Sequence, residues 1–83
     1  MPKTVEISSA VFRWLQRHNT FMSEEVIIGV VLNTPKSLRE YTEADHFKIQ
    51  FFRNHNRHTL EITLWTHERQ TTFFVYKAHS QRA

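Results

Sequence analysis

The second half of this chain carries most of the side chains that could do chemistry. Residues 46–83 hold five of the six histidines (His46, His55, His58, His67 and His79) and six Lys/Arg against two Glu, a net of +4. Residues 1–45 hold five Lys/Arg against six Asp/Glu, a net of −1. Histidine can take or give a proton because its unperturbed pKa is about 6.5. Arginine offers a bidentate clamp for phosphate, and lysine a compact point charge. Such an asymmetry points to an acidic partner, nucleic acid first; a solvated basic face is the plain alternative.

Three constellations could give these residues a common purpose. His67-Glu68-Arg69 would set an acid–base pair beside a guanidinium, or else form a solvated turn. His55-Asn56-Arg57-His58 has metal-like spacing, but zinc wants three or four converging ligands and the chain has no cysteine. No metal site is expected, and these two histidines read as turn residues. Trp65, on a polar strand face, could stack a base, anchor a protein or cover an apolar edge. Glycine occurs once, at Gly29, so there is no phosphate-cradling loop, and neither a nucleophile elbow nor H-E-x-x-H is present. Cofactor chemistry is therefore not expected.

The elements that must position these residues follow from periodicity. Thr4-Val5-Glu6-Ile7 alternates as a short edge strand. Ser8 or Ser9 offers an N-cap, and Ala10, Val11, Trp14, Leu15 and His18 share one face of a helix over residues 9–18. Trp14 belongs to the core, and Arg13, Gln16 and Arg17 to the wet side. Ser23 caps a second helix with Glu24 and Glu25 in its first turn, ended by Asn33-Thr34-Pro35. Apolar nearly all round, that helix should lie between other elements, with Gly29 allowing close approach to a neighbour.

Beyond it the period changes to two. Ser37 to Tyr41 reads as a short strand. Phe47, Ile49 and Phe51 alternate with Lys48 and Gln50, and Leu60, Ile62 and Leu64 with Thr59, Glu61, Thr63 and Trp65. Residues 54–57 and 67–70 read as turns, and Thr71 to Tyr76 as a last strand, with frayed ends at 1–3 and about 80–83. The expected fold is α+β: a short N-terminal strand, two helices, then a three- to four-stranded antiparallel meander with the helices on one face. Phe51-Phe52 and Phe73-Phe74 are adjacent pairs, so one of each should face outward. Phe52, Phe74 and Trp65 together would then form an apolar patch suited to a protein partner or a second copy.

The whole chain, 83 residues, makes one small domain. Without cysteine the oxidising secretory niche is disfavoured, and the longest apolar run, Val26 to Leu32, is far short of the ~20 residues that span a bilayer. A cytoplasmic protein with no membrane association is expected.

Arg17-His18-Asn19-Thr20-Phe21-Met22-Ser23-Glu24-Glu25-Val26, closed by Asn33-Thr34-Pro35, resembles the K-H-x-x-x-F-E-E-A … D-P segment of BrnT-type proteins. It is similar also to an R-x-I-S-E-E-V … N-P segment in related families of the RelE/ParE toxin superfamily. Leu60 to Arg69 looks like their L-x-V-V-x-T-E-R strand, and Thr72 to Arg82 like their final strand and tail. The chain departs from them in one extra residue between His18 and Ser23, in lacking hairpin glycines, and in lacking an acidic C-terminal helix. The resemblance implies a small RNA-binding toxin with metal-independent ribonuclease activity and an antitoxin partner. In that role Lys48, Arg57, Arg69, Lys77 and Arg82 would hold phosphate, with His67 and His79 as proton-transfer groups. The alternative is a non-catalytic interaction module that binds a protein partner or itself, as a dimer, through Trp65, Phe52 and Phe74.

Overall fold

The computed structural model describes residues 3–83. The chain runs β1 (Thr4–Ile7), α1 (Ser9–Arg17), α2 (Glu24–Asn33), a 3-10 turn (Lys36–Leu38), β2 (Glu40–Glu43), β3 (His46–His55), β4 (His58–Glu68) and β5 (Thr72–Arg82). Both helices lie on one face of a single sheet ordered β1-β5-β4-β3-β2.

The helices begin where the sequence caps them. Ser8 Oγ accepts from Val11 N–H (3.2 Å), and Ser23 Oγ from Val26 N–H (3.3 Å). Each such cap stabilises by about 1 kcal/mol. Helices this short are marginal alone, so tertiary packing holds them. Val11, Trp14 and Leu15 of α1, Met22, and Ile27 and Val31 of α2 bury against Phe47, Ile49, Ile62, Leu64, Phe73 and Val75 of the sheet. Excluding such side chains from water contributes about 1.5–3 kcal/mol each. His18 is tied into the same layer, its Nδ1 2.7 Å from Trp14 O and its ring stacked on the indole.

The sheet departs from expectation in number and sense. It has five strands and is mixed, because β1 pairs in parallel with β5, Thr4 opposite Thr72 and Ile7 opposite Val75. The first strand of the meander falls at Glu40–Glu43, since Lys36–Leu38 winds into a 3-10 turn after Pro35. Ser80 to Arg82, expected to fray, pair with Leu60 to Ile62 as the end of β5. Nor is α2 enclosed: Leu32 is 48% exposed and only Ile27 and Val31 of its side chains are buried. A Cβ placed on Gly29 would meet nothing nearer than the Asn33 carboxamide at 4.0 Å, so no element of the fold requires a glycine there.

One irregularity sets which side chains of β5 face away from the helices. Thr66 pairs with Val75 and Trp65 with Lys77, leaving Tyr76 as an extra residue in a β-bulge. Strict alternation from Phe73 and Val75 would turn Lys77 and His79 into the core. The bulge resets the parity, so Ala78 and Ser80 face the helices and Lys77, His79 and Gln81 face away. Ser8 supports the distortion, donating its N–H to Val75 O (3.0 Å) and its hydroxyl to Tyr76 O (3.4 Å).

Candidate nucleic-acid interface

The helices leave the other sheet face uncovered, and register assigns its occupants. Glu40, Lys48, Trp65 and Lys77 form one row across β2 to β5. The next row holds His46, His67 and Phe74, with Glu43 of β2 and Glu6 of β1 at its two ends and Tyr76 beside it. On the other side of the Trp65 row comes Gln50, Thr63 and His79, then Phe52, Glu61 and Gln81.

The two central rows carry the chemistry. The imidazoles of His46 and His67 stack with centroids 4.3 Å apart and planes 1° from parallel. Tyr76 closes one side, its hydroxyl 3.4 Å from His46 Nδ1 and its ring edge-on to that imidazole. Arg69 closes the other: its Nε donates to His67 Nδ1 (3.2 Å) and its guanidinium lies 4.6 Å over the Phe74 ring. In this arrangement Nδ1 of His67 is an acceptor, so the ring proton of the neutral imidazole resides on Nε2. One row away, Lys77 Nζ lies 4.6 Å over the Trp65 indole, and Lys48 Nζ is 3.6 Å from Glu40 Oε1. Aromatic planes and cations thus alternate on one face, the combination that holds a single strand by stacking and by phosphate attraction.

The expected residues divide accordingly. Lys48, Trp65, His67, Arg69, Phe74 and Lys77 come together. His79 does not join them: it pairs with Thr63, four residues along β4 from His67, which is about 13 Å of strand. The two histidines do not converge on one bond, and His46 takes the place beside His67. Arg57 sits in the β3–β4 turn at the far end of the sheet. Arg82 pairs with Leu60 on the helix side, Nη2 3.4 Å from His58 Nε2. His55 is occupied by Phe21, centroids 5.4 Å apart, and by the Asn56 carboxamide at 3.1 Å.

The aromatic patch is broken up as well. Phe52 is 62% exposed but lies four residues of strand, again about 13 Å, from the Trp65 row. Trp65 and Phe74 are half-buried under Lys77 and Arg69.

His67-Glu68-Arg69 is not an acid–base unit, because adjacent strand residues face opposite ways. Glu68 turns to the helix side, where its carboxylate accepts from Tyr41 (2.8 Å) and Lys3 (3.1 Å) with Arg39 at 3.7 Å. Burial alone would raise its pKa; the hydrogen bonds from Tyr41 and Lys3 and the charges of Lys3 and Arg39 outweigh it and hold the group below its ordinary value. Arg39 also lies over Phe47 (4.9 Å) and Phe73 (5.0 Å). This cluster fastens the N-terminal strand and the α2–β2 connection to the sheet.

Two members of the site, His46 and Tyr76, went unassigned in the sequence. His46 shares parity with Lys48 and Gln50, so extending the alternation by one step finds it. Tyr76 is reached only through the bulge. The open face is less basic than the half-chain charge suggests, since Glu6, Glu40, Glu43 and Glu61 share it with Lys48, Arg69 and Lys77. The acids occupy β1, β2 and the distal row, while the cations lie at its centre.

The chain matches no family model, no curated protein and no solved structure. Among the described residues, no helix is long and apolar enough to cross a membrane.

Proposed function

We propose that this protein binds single-stranded RNA on the uncovered sheet face, with Trp65, Phe74 and Tyr76 meeting bases and Lys48, Arg69 and Lys77 meeting phosphates. The observation that carries this reading is the placement of Lys77 over Trp65 and Arg69 over Phe74 on neighbouring rows. Each cation rests on an aromatic plane, so a strand can displace it onto phosphate while a base takes the ring. Stacking of this kind contributes about 1–3 kcal/mol per base and tolerates any sequence. The short segments that resemble BrnT-type and RelE/ParE motifs agree with the same ligand, and on that reading an antitoxin would be a partner for this face. Amide shifts followed during titration with a short RNA test the location. They should concentrate on residues 46–50, 63–69 and 74–79; shifts confined to α1 and α2 would exclude this face.

Cleavage of the bound strand is a second reading, favoured by the His46–His67 stack between Arg69 and Tyr76. The neutral His46 imidazole takes the proton of a ribose 2′-OH, and the 2′-oxygen attacks the adjacent phosphorus. The 5′-oxygen leaves with the Nε2 proton of a His67 imidazolium, formed when His67 is protonated at Nδ1 and Arg69 moves off it onto the phosphate. Arg69 offsets the charge gathering on the phosphoryl oxygens. The products are a 2′,3′-cyclic phosphate and a 5′-hydroxyl. Cleavage in EDTA that is lost in His67→Ala and on a 2′-deoxy substrate supports this step; intact RNA after prolonged incubation with the wild type excludes it.

A further inference from the structure

The helix α2 presents an outer surface that the fold does not use. At 100° per residue, the buried Ile27 and Val31 mark the inner side, and Glu25, Gly29, Leu32 and Asn33 fall on the opposite one. Leu32 is 48% exposed, and Leu38 of the following 3-10 turn 70%. Beside the seam runs a shallow apolar groove lined by Val26, Val30, Leu38 and Phe51. Gly29, the one glycine of the chain, stands at mid-helix with open space before its α-carbon. Glycine is a poor helix former, and nothing within the protomer compensates for it. A glycine so placed lets another backbone approach closely.

Charge decides what approaches. Glu24 and Glu25 lie exposed at one end of the seam and Lys36 at the other, and none of them enters an ion pair among the described residues. A parallel copy of α2 would set glutamates against glutamates. An antiparallel copy sets the glutamates of each protomer beside Lys36 of its mate, and Glu25 beside Asn33, whose carboxamide can donate to it. Both contacts occur twice under one two-fold axis, so a single patch complements itself. We propose that two copies of this chain pair through α2, antiparallel about Gly29, with Leu32 of each on the same flank of the seam as Leu32 of the other and the two apolar grooves adjoining on the opposite flank. The resulting order is sheet, helices, helices, sheet, which leaves both open faces free. The pairing is independent of what the open face binds.

Sedimentation of the full chain at low salt tests it. The wild type should be a dimer at about 100 μM, a usual range for a modest interface. Gly29→Arg, a better helix former whose side chain enters open space in the monomer, should sediment as a monomer with unchanged helical circular dichroism. Glu25→Lys and Lys36→Glu should each weaken dimerisation about tenfold. Mixed in equal amounts these two variants regain both ion pairs and should form a heterodimer of wild-type affinity. A monomeric wild type, a Gly29→Arg variant that dimerises as the wild type does, or a mixture no tighter than its components would overturn the proposal.

Discussion

Thr66 is fully buried between β3 and β5, and its hydroxyl has no hydrogen-bond partner. A buried hydroxyl left unpaired costs about 1–3 kcal/mol, so replacing it with a methyl of the same shape should stabilise. Thr66→Val is expected to raise the thermal midpoint by about 4–8 °C, the equivalent of roughly 1 kcal/mol in a domain this small; an unchanged or lower midpoint would count against an unpaired hydroxyl. Glu68 acts in the opposite sense, as a carboxylate fastened by Tyr41, Lys3 and Arg39. Its folded pKa is depressed from 4.5, so its contribution to stability is complete above that value and is lost as pH falls through the lower, folded one. Thermal midpoints measured from pH 7 to pH 2 should therefore converge for the wild type and Glu68→Gln at the acid end. A gap that stays constant with pH would mean that the carboxylate charge contributes nothing.

At the scale of elements, the β3–β4 hairpin closes with Asn56 and Arg57 at φ of 49° and 66°. Such a turn favours Asn-Gly, because a non-glycine residue in the left-handed region costs about 1 kcal/mol. Arg57→Gly should stabilise the fold by roughly that amount. It should leave RNA affinity untouched, since Arg57 lies at the far end of the sheet from the Trp65 row. A loss of affinity would return the turn to the interface. Much of this level was legible in the chain. The caps at Ser8 and Ser23 and the alternation in β3 and β4 fixed both helices, the core and the face carrying Lys48 and Trp65. Apart from His46, which the alternation of β3 reaches, what escaped had no local signal. The parallel pairing of β1 joins residues nearly a chain length apart. The bulge at Tyr76 depends on Ser8 reaching across to its carbonyl. Because that bulge reverses parity, alternation would turn Lys77 into the core; only the resemblance placed it at the site, and no local signal set His79 one row beyond it.

For the whole molecule, the fold redistributes charge that looks concentrated in the linear chain. Arg53 donates to Phe21 O on the helix side, Arg82 lies beside His58, and Arg57 caps a distant turn. Among the described residues, Lys48, Arg69 and Lys77 are the Lys and Arg side chains that remain on the open face, among aromatic planes. A binder built this way depends more on stacking than on charge. Each phosphate contact to a single strand contributes about −0.7 to the slope of log affinity against log salt, so three cations give about −2. The titration that bears most directly on the proposed function follows fluorescence anisotropy of a labelled single-stranded RNA of about eight nucleotides, within the site sizes of such surfaces. Wild type should bind saturably with a salt slope near −2, Lys77→Glu should weaken binding about tenfold, and Trp65→Ala by about as much. No binding at about 50 mM salt, or wild-type affinity in both variants, would contradict RNA recognition by this face.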